Sequence, residues 1–372
     1  MRTWAPWALL VAGLLLSGCS ELPYYRQAIA GHLRLITDRQ SIDALLGNDD
    51  TDPVLARQLG TVQELLAFAR DTLALPSAGS YRHYVALGRP YVSWNVFAAP
   101  ELSLEPVRWC FPFAGCVPYR GYFDQDEARC YASRLAAKGY EVSIEGATAY
   151  STLGWFDDPV LSSMLGHGED FLAETLFHEL AHQKVYVRDD ASFNEGFAVS
   201  VQEEGVRRWL QATHRPERLK AYERALARRE AVLGLVDRAR QRLRDVYALD
   251  TGDDRKRALK AQTLKTLYSE YQALKDAWGG YSGYDHWFDE GLNNARLASL
   301  ATYREWVAQF RALYRRCGSS LPRFYTAVRA LGALEMSVRH AHLETIEDCP
   351  VADPGRGGSH LEGSEIQYWE SY

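Results

Sequence analysis

Two histidines four residues apart, His178 and His182, enclose Glu179 in the segment Phe-His-Glu-Leu-Ala-His-Gln. On a helix, residues four apart stand one turn above each other on the same face. Two imidazoles so placed can bind a single zinc ion through nitrogen, and Glu179 can act as general base for an attacking water. A catalytic zinc takes three protein ligands and keeps one position open. The pattern therefore predicts one Zn2+ per chain, His178 and His182 as ligands, Glu179 as the catalytic base, and a third ligand elsewhere.

The flanking residues must supply the helix. Residues 169–187 contain no proline and no glycine, while Gly166 and Gly168 lie just before them. Leu176 and Leu180 point away from the histidines and can pack on a core. A second helix is predicted over residues 193–210, after a turn at Asp189 and Asp190, with Ser192 or Asn194 as its cap. Val185 and Arg188 occupy the positions where metzincins carry a glycine and a third histidine, which excludes that class. Glu195, at the start of the second helix, is the leading third ligand. Glu203 and Glu204, one to two turns on, are the alternatives.

Asn194-Glu195-Gly196-Phe197-Ala198 resembles the third-ligand segment of the membrane alanyl aminopeptidases, and that resemblance implies zinc ligation by Glu195. Only twelve residues separate His182 from Glu195, which requires a tight turn. More broadly, the chain resembles a family of bacterial lipoproteins described as putative aminopeptidases, of gluzincin type. Three further segments carry the likeness: CFPFAGCVPYRGYF from Cys110, AYSTLGWFDDP from Ala149 and NNARLASLATY from Asn293. The resemblance implies a peptide substrate and an aminopeptidase specificity. It also implies a sheet edge beside the zinc helix that holds the substrate extended, for which Thr148, Ser151 and Gly154 are the candidates. Gluzincins place a tyrosine or histidine opposite the metal for the oxyanion. Tyr281, Tyr284, His286 and Tyr303 qualify, and Tyr303 is preferred because it lies on a family-like segment. His167, in the loop before the zinc helix, is a candidate substrate contact set against an ordinary solvated loop histidine.

The first residues read as a lipoprotein leader. Arg2 precedes an apolar run over residues 4–16, and Leu16-Ser17-Gly18-Cys19 matches the site cut before a cysteine that becomes lipidated. Cys19 then anchors the chain to a membrane. Ser20 after it points to the outer membrane of a Gram-negative cell, facing the periplasm. In an oxidising compartment cysteines pair. Cys110 with Cys116 and Cys317 with Cys349 are the candidate pairs; Cys130 makes the remaining number odd. The formal net charge of −6 gives no basic nucleic-acid surface, and oligomeric state is not readable.

The expected fold class is α+β, mostly helical. It has a zincin-like metallopeptidase core, a small sheet next to the zinc helix and an inserted helical hairpin. Residues 1–18 form the leader, 19–350 the peptidase domain with the hairpin at about 216–277, and 351–372 a mobile polar tail. The hairpin is signalled by Leu219, Tyr222, Leu226, Val232 and Leu235 at helical spacing and by a break at residues 250–254. Helices are expected over 24–46, 53–75 and 124–138, and a strand with a bend over 141–152. Two rival functions stand beside the aminopeptidase: a zinc endopeptidase acting on envelope proteins, and a non-catalytic scaffold lipoprotein that keeps zinc for structure.

Overall fold

The computed structural model describes residues 22–76, 79–111, 115–151, 157–302, 305–346 and 348–350. Residues 1–21 with Cys19, the residues beyond 350, Gly154 and Tyr303 lie outside the described residues. The architecture is mostly helical with small sheets, an α+β arrangement.

A lead helix, Leu22–Thr37, opens the described chain. The single helix expected over residues 24–46 is interrupted. Gln40 and Ser41 pair with Tyr84 and His83 in a short antiparallel ladder. Ser41 Oγ then accepts from Ala44 N at 3.4 Å, which starts a second short helix, Ile42–Leu46. Helix Pro53–Asp71 starts where its residues dictate. The Asp52 carboxylate accepts from Val54 N and Leu55 N at 2.9 and 3.0 Å, and Pro53 lacks only an N–H that would have no helical partner.

The main sheet has a central strand, Ser93–Pro100, flanked antiparallel by Arg120–Tyr122 and Tyr140–Ala147. Side chains alternate across it. Trp94, Val96 and Ala98 pack with Ala128, Ala132 and Leu135 of helix Gln125–Ala136. Phe97 and Ala99 face the other way, against Tyr119 and against Ala295 of helix Asn294–Thr302. The strand expected to reach residue 152 stops at Ala147, because the Thr148 carbonyl turns aside to accept from Ser163 Oγ at 2.5 Å.

The histidine-bearing helix, Glu169–Lys184, packs against helix Ala191–Ala212. Leu172, Leu176, Phe177 and Leu180 share one core with Phe193, Phe197 and Val201. Each such side chain contributes about 1.5–3 kcal/mol by leaving water. Beyond these two, Pro216–Ala248 and Asp253–Ala277 form a long helical hairpin with its own small core. Tyr271 stacks there on Phe288 at 3.9 Å. Helices Val307–Arg316, Leu321–Gly332 and Met336–Glu344 close the chain. Disulfides join Cys110 to Cys116 and Cys317 to Cys349; Cys130 is a free, exposed thiol.

Candidate metal centre

The histidine helix begins at Gly168, whose φ of 91° suits glycine and ends the preceding loop. It stops at Lys184, after which Val185 is extended. The next helix must start within a few residues and point Glu195 back at the histidines. Polar clamps make that turn. Asn194 Nδ2 donates to Val187 O and its Oδ1 accepts from Val187 N, both at 2.7 Å. Asp190, not Ser192 or Asn194, is the cap: its Oδ1 accepts from Phe193 N at 3.1 Å. The other Asp190 oxygen accepts from Arg339 Nε and meets His340 Nε2, each at 2.9 Å, so this buried carboxylate is fixed from both sides. Gly196 is required by a close approach, since a Cβ there would stand 3.0 Å from the Trp306 side chain and 3.2 Å from its backbone.

The consequence is a convergence of three donor atoms. His178 Nε2 lies 3.1 Å from His182 Nε2 and 3.1 Å from Glu195 Oε2; His182 Nε2 is 3.7 Å from Glu195 Oε1. Tetrahedral zinc with bonds of about 2.0–2.1 Å holds its ligand atoms roughly 3.3 Å apart, so these residues fit such an ion. Glu195 Oε2 is also buried with no hydrogen-bond donor aligned on it. His178 Nδ1 meets Gln202 Oε1 at 2.7 Å, which fixes that nitrogen as the N–H and leaves Nε2 free to ligate.

Burial and charge act together on these groups. Burial opposes the charged form of His178, but the Glu195 carboxylate outweighs it and raises the imidazole to about 9. Burial lowers His182 to about 4. Glu195 is buried too, yet the two histidines hold its carboxyl below the usual range. Burial, with the charges of Glu195 and Asp158, outweighs His178 and Ser151 and pushes Glu179 up to about 7.

The centre opens on a cleft of about 700 Å³. Its floor is the inner face of the main sheet, with Asn95, Phe97 and Gly121. Thr148 and Ser151 line it, beyond the end of their strand rather than within it. Ser151 Oγ also donates to the buried Asp158 at 3.2 Å. The other sequence candidates are elsewhere. Tyr281 packs on Trp278 and Arg228, and Tyr284 on Trp278. His286 is exposed and pairs with Glu290 at 2.8 Å. His167 is exposed against Phe171. Glu203 is fully buried in an ion pair with Arg311, and Glu204 binds Arg208 and Tyr314, so neither reaches the histidines.

A family model described as "Putative aminopeptidase" matches residues 23–343, which include the whole of this centre. The chain belongs to that family. No curated protein and no solved structure matches it. In this member of the putative aminopeptidase family, sequence reasoning missed Gln202, Asp158, Tyr119 and Tyr186. One of them carried a signal: Gln202 follows Glu195 by seven residues, two turns on the same helix face. Tyr119 lines the cleft through a loop fastened by the Cys110–Cys116 hairpin, a contact that helical or strand periodicity does not encode. Burial, together with the charges of Glu195 and Glu179, keeps its phenol protonated well above the ordinary range. Tyr186, half exposed at the rim, stands 6.4 Å from the His182 ring.

Proposed function

We propose that this chain is a zinc-dependent peptidase with a zincin-like core, most readily an aminopeptidase in keeping with its family, acting on peptides in the periplasm. The observation that carries the reading is the convergence of His178, His182 and Glu195 beside Glu179, on the wall of a cleft of about 700 Å³. His178, His182 and Glu195 would hold the metal. When bound, zinc supplies Lewis-acid polarisation of the scissile carbonyl and of the water that attacks it. Glu179 accepts the proton of that water and returns it to the leaving amine. Tyr119 donates a hydrogen bond to the oxygen on which negative charge develops. Gln202 and Asn194 keep His178 and Glu195 oriented. The open side of strand Tyr140–Ala147 and the residues after it offer main-chain groups to an extended substrate. Lipidation of Cys19 would hold the enzyme at the outer membrane.

Capture of a free amine needs a carboxylate in the cleft. Glu174 lines it, one turn before His178, but is engaged by Tyr222 at 2.8 Å and by Arg229 at 3.1 Å. A zinc endopeptidase is therefore the second reading.

The test is a peptide-library assay, with free and N-terminally blocked substrates, on wild type and Glu179→Gln, together with metal analysis. The expected result is one zinc per chain in both proteins, hydrolysis by wild type alone and a preference for free N-termini. Equal cleavage of blocked peptides assigns an endopeptidase. Zinc binding with no hydrolysis of any peptide would assign a scaffold instead.

A further inference from the structure

The lead helix, Leu22–Thr37, has two unlike faces. Gln27, Gly31 and Leu35 turn inward, where Gln27 Oε1 accepts from Phe123 N at 2.8 Å. Tyr24 and Ala28 on this side line the candidate catalytic cleft. On the opposite side Leu22, Tyr25, Ile29 and Leu33 are 65, 42, 58 and 52 % exposed. Their spacing of three, four and four residues makes a continuous stripe. Single exposed apolar residues are ordinary. Here, among the described residues, four of the twelve large exposed hydrophobics stand on one face of one helix.

The charges on that helix are one-sided. Residues 22–37 contain no aspartate and no glutamate, although the whole chain carries a net charge of −6. Arg26 and Arg34 are both exposed, Arg26 next to the stripe and Arg34 on the flank between the stripe and the inward face. An apolar stripe with only basic residues beside it is the pattern of a helix lying in the interface of an anionic bilayer. The chain also supplies a reason for a bilayer to be the neighbour. Cys19, the candidate lipidation site, stands three residues before Leu22, so an acyl anchor there holds this helix at the lipid surface.

We propose that the exposed face of Leu22–Thr37 is an in-plane membrane contact for anionic lipid, with Arg26 and Arg34 beside headgroup phosphates. The choice of a bilayer as occupant rests in part on the lipidation reading. Tyr24 and Ala28 then place the cleft wall within about one helix diameter, roughly 10 Å, of the bilayer surface. Peptides presented at the membrane become the favoured substrates.

The experiment separates this from the acyl anchor and from catalysis. The chain from Ser20 onward, without lipid and in chelator, is sedimented with vesicles of phosphatidylethanolamine and phosphatidylglycerol, and with vesicles of phosphatidylcholine. Wild type is expected to bind the anionic vesicles at least about tenfold more tightly than the neutral ones. Ile29→Glu with Leu33→Glu should lower that binding by about tenfold or more, with the circular dichroism spectrum and hydrolysis of soluble peptides unchanged. Arg26→Glu with Arg34→Glu should remove the preference for anionic vesicles. Absence of binding by the acyl-free wild type, or equal binding by the Ile29 and Leu33 variant, overturns the proposal. A wild-type dimer that this variant dissociates overturns it as well, by giving the face to a second copy. Vesicle binding is read without zinc or peptide, so its loss and the loss of peptidase activity are separate outcomes.

Discussion

Tyr119, the proposed hydrogen-bond donor, owes its protonation state to its surroundings. Buried beside the negative charges of Glu195 and Glu179, its phenol keeps its proton and remains a donor. A donor aimed at developing charge accelerates the step without tightening ground-state binding. Tyr119→Phe should therefore lower kcat by about a hundredfold or more while KM changes little. Steady-state kinetics on a peptide that wild type cleaves will check this; an unchanged kcat would move the role to Tyr186 at the rim. Glu179 shows the same dependence on setting. Its type and spacing suggest a base, but burial with the charges of Glu195 and Asp158 raises its proton affinity. Asp158 comes from a segment about twenty residues upstream, and nothing in the His-Glu-x-x-His pattern identifies it.

At the scale of elements, the histidine helix is held at both ends. Its C-terminal end runs into the Asn194 and Asp190 clamps. At its N-terminal end Glu169 meets Arg215 at 2.5 Å and Arg218, while Asp170 meets Arg218 at 2.7 Å, tying the histidine helix to the long hairpin. Burial alone would raise the Glu169 carboxyl, but the two guanidinium groups outweigh it and hold it below its ordinary value of 4.5. A carboxyl lowered by folding stabilises the fold above its unfolded pKa and loses that contribution as pH falls through its folded pKa. The difference in melting temperature between wild type and Glu169→Gln should thus be largest at about pH 6 and shrink below about pH 4.5. Melting curves across this range will check it, and a gap that widens toward acid would contradict the assignment. The helices themselves were legible because their cues are local: Asp52 and Pro53 start one, and the acidic, glycine-containing break at residues 250–254 divides the hairpin. Where an element is ended by a distant partner, as Ser163 ends the strand at Ala147, the local sequence gives no warning.

Across the whole molecule, the C-terminal helices reach the candidate metal centre through Asp190. Arg339 and His340 fix Asp190, and the Cys317–Cys349 disulfide links the helix Val307–Arg316 to the chain beyond Met336–Glu344. The bond joins residues 32 apart in sequence, and cross-linking a loop of that size restricts the unfolded chain by about 3–4 kcal/mol. Cys349→Ser should lower the melting temperature by several degrees under oxidising conditions, a difference that disappears when wild type is reduced. Among the described residues no helix is long and apolar enough to cross a membrane.

Local quantities were legible from the residues alone. Four-residue spacing puts His178 and His182 on one helix face, alternation gives the central strand two different faces, and proline, glycine and aspartate mark where helices start and stop. The folded arrangement selects Glu195, rather than Glu203 or Glu204, to meet the histidines. It also decided that Gln202 orients one of them and that Tyr119 and Asp158 complete the surroundings. The physical reason is the range of the interactions. Capping and periodicity act over a few residues, whereas desolvation, charge pairing and close approach depend on which segments the folded chain brings together.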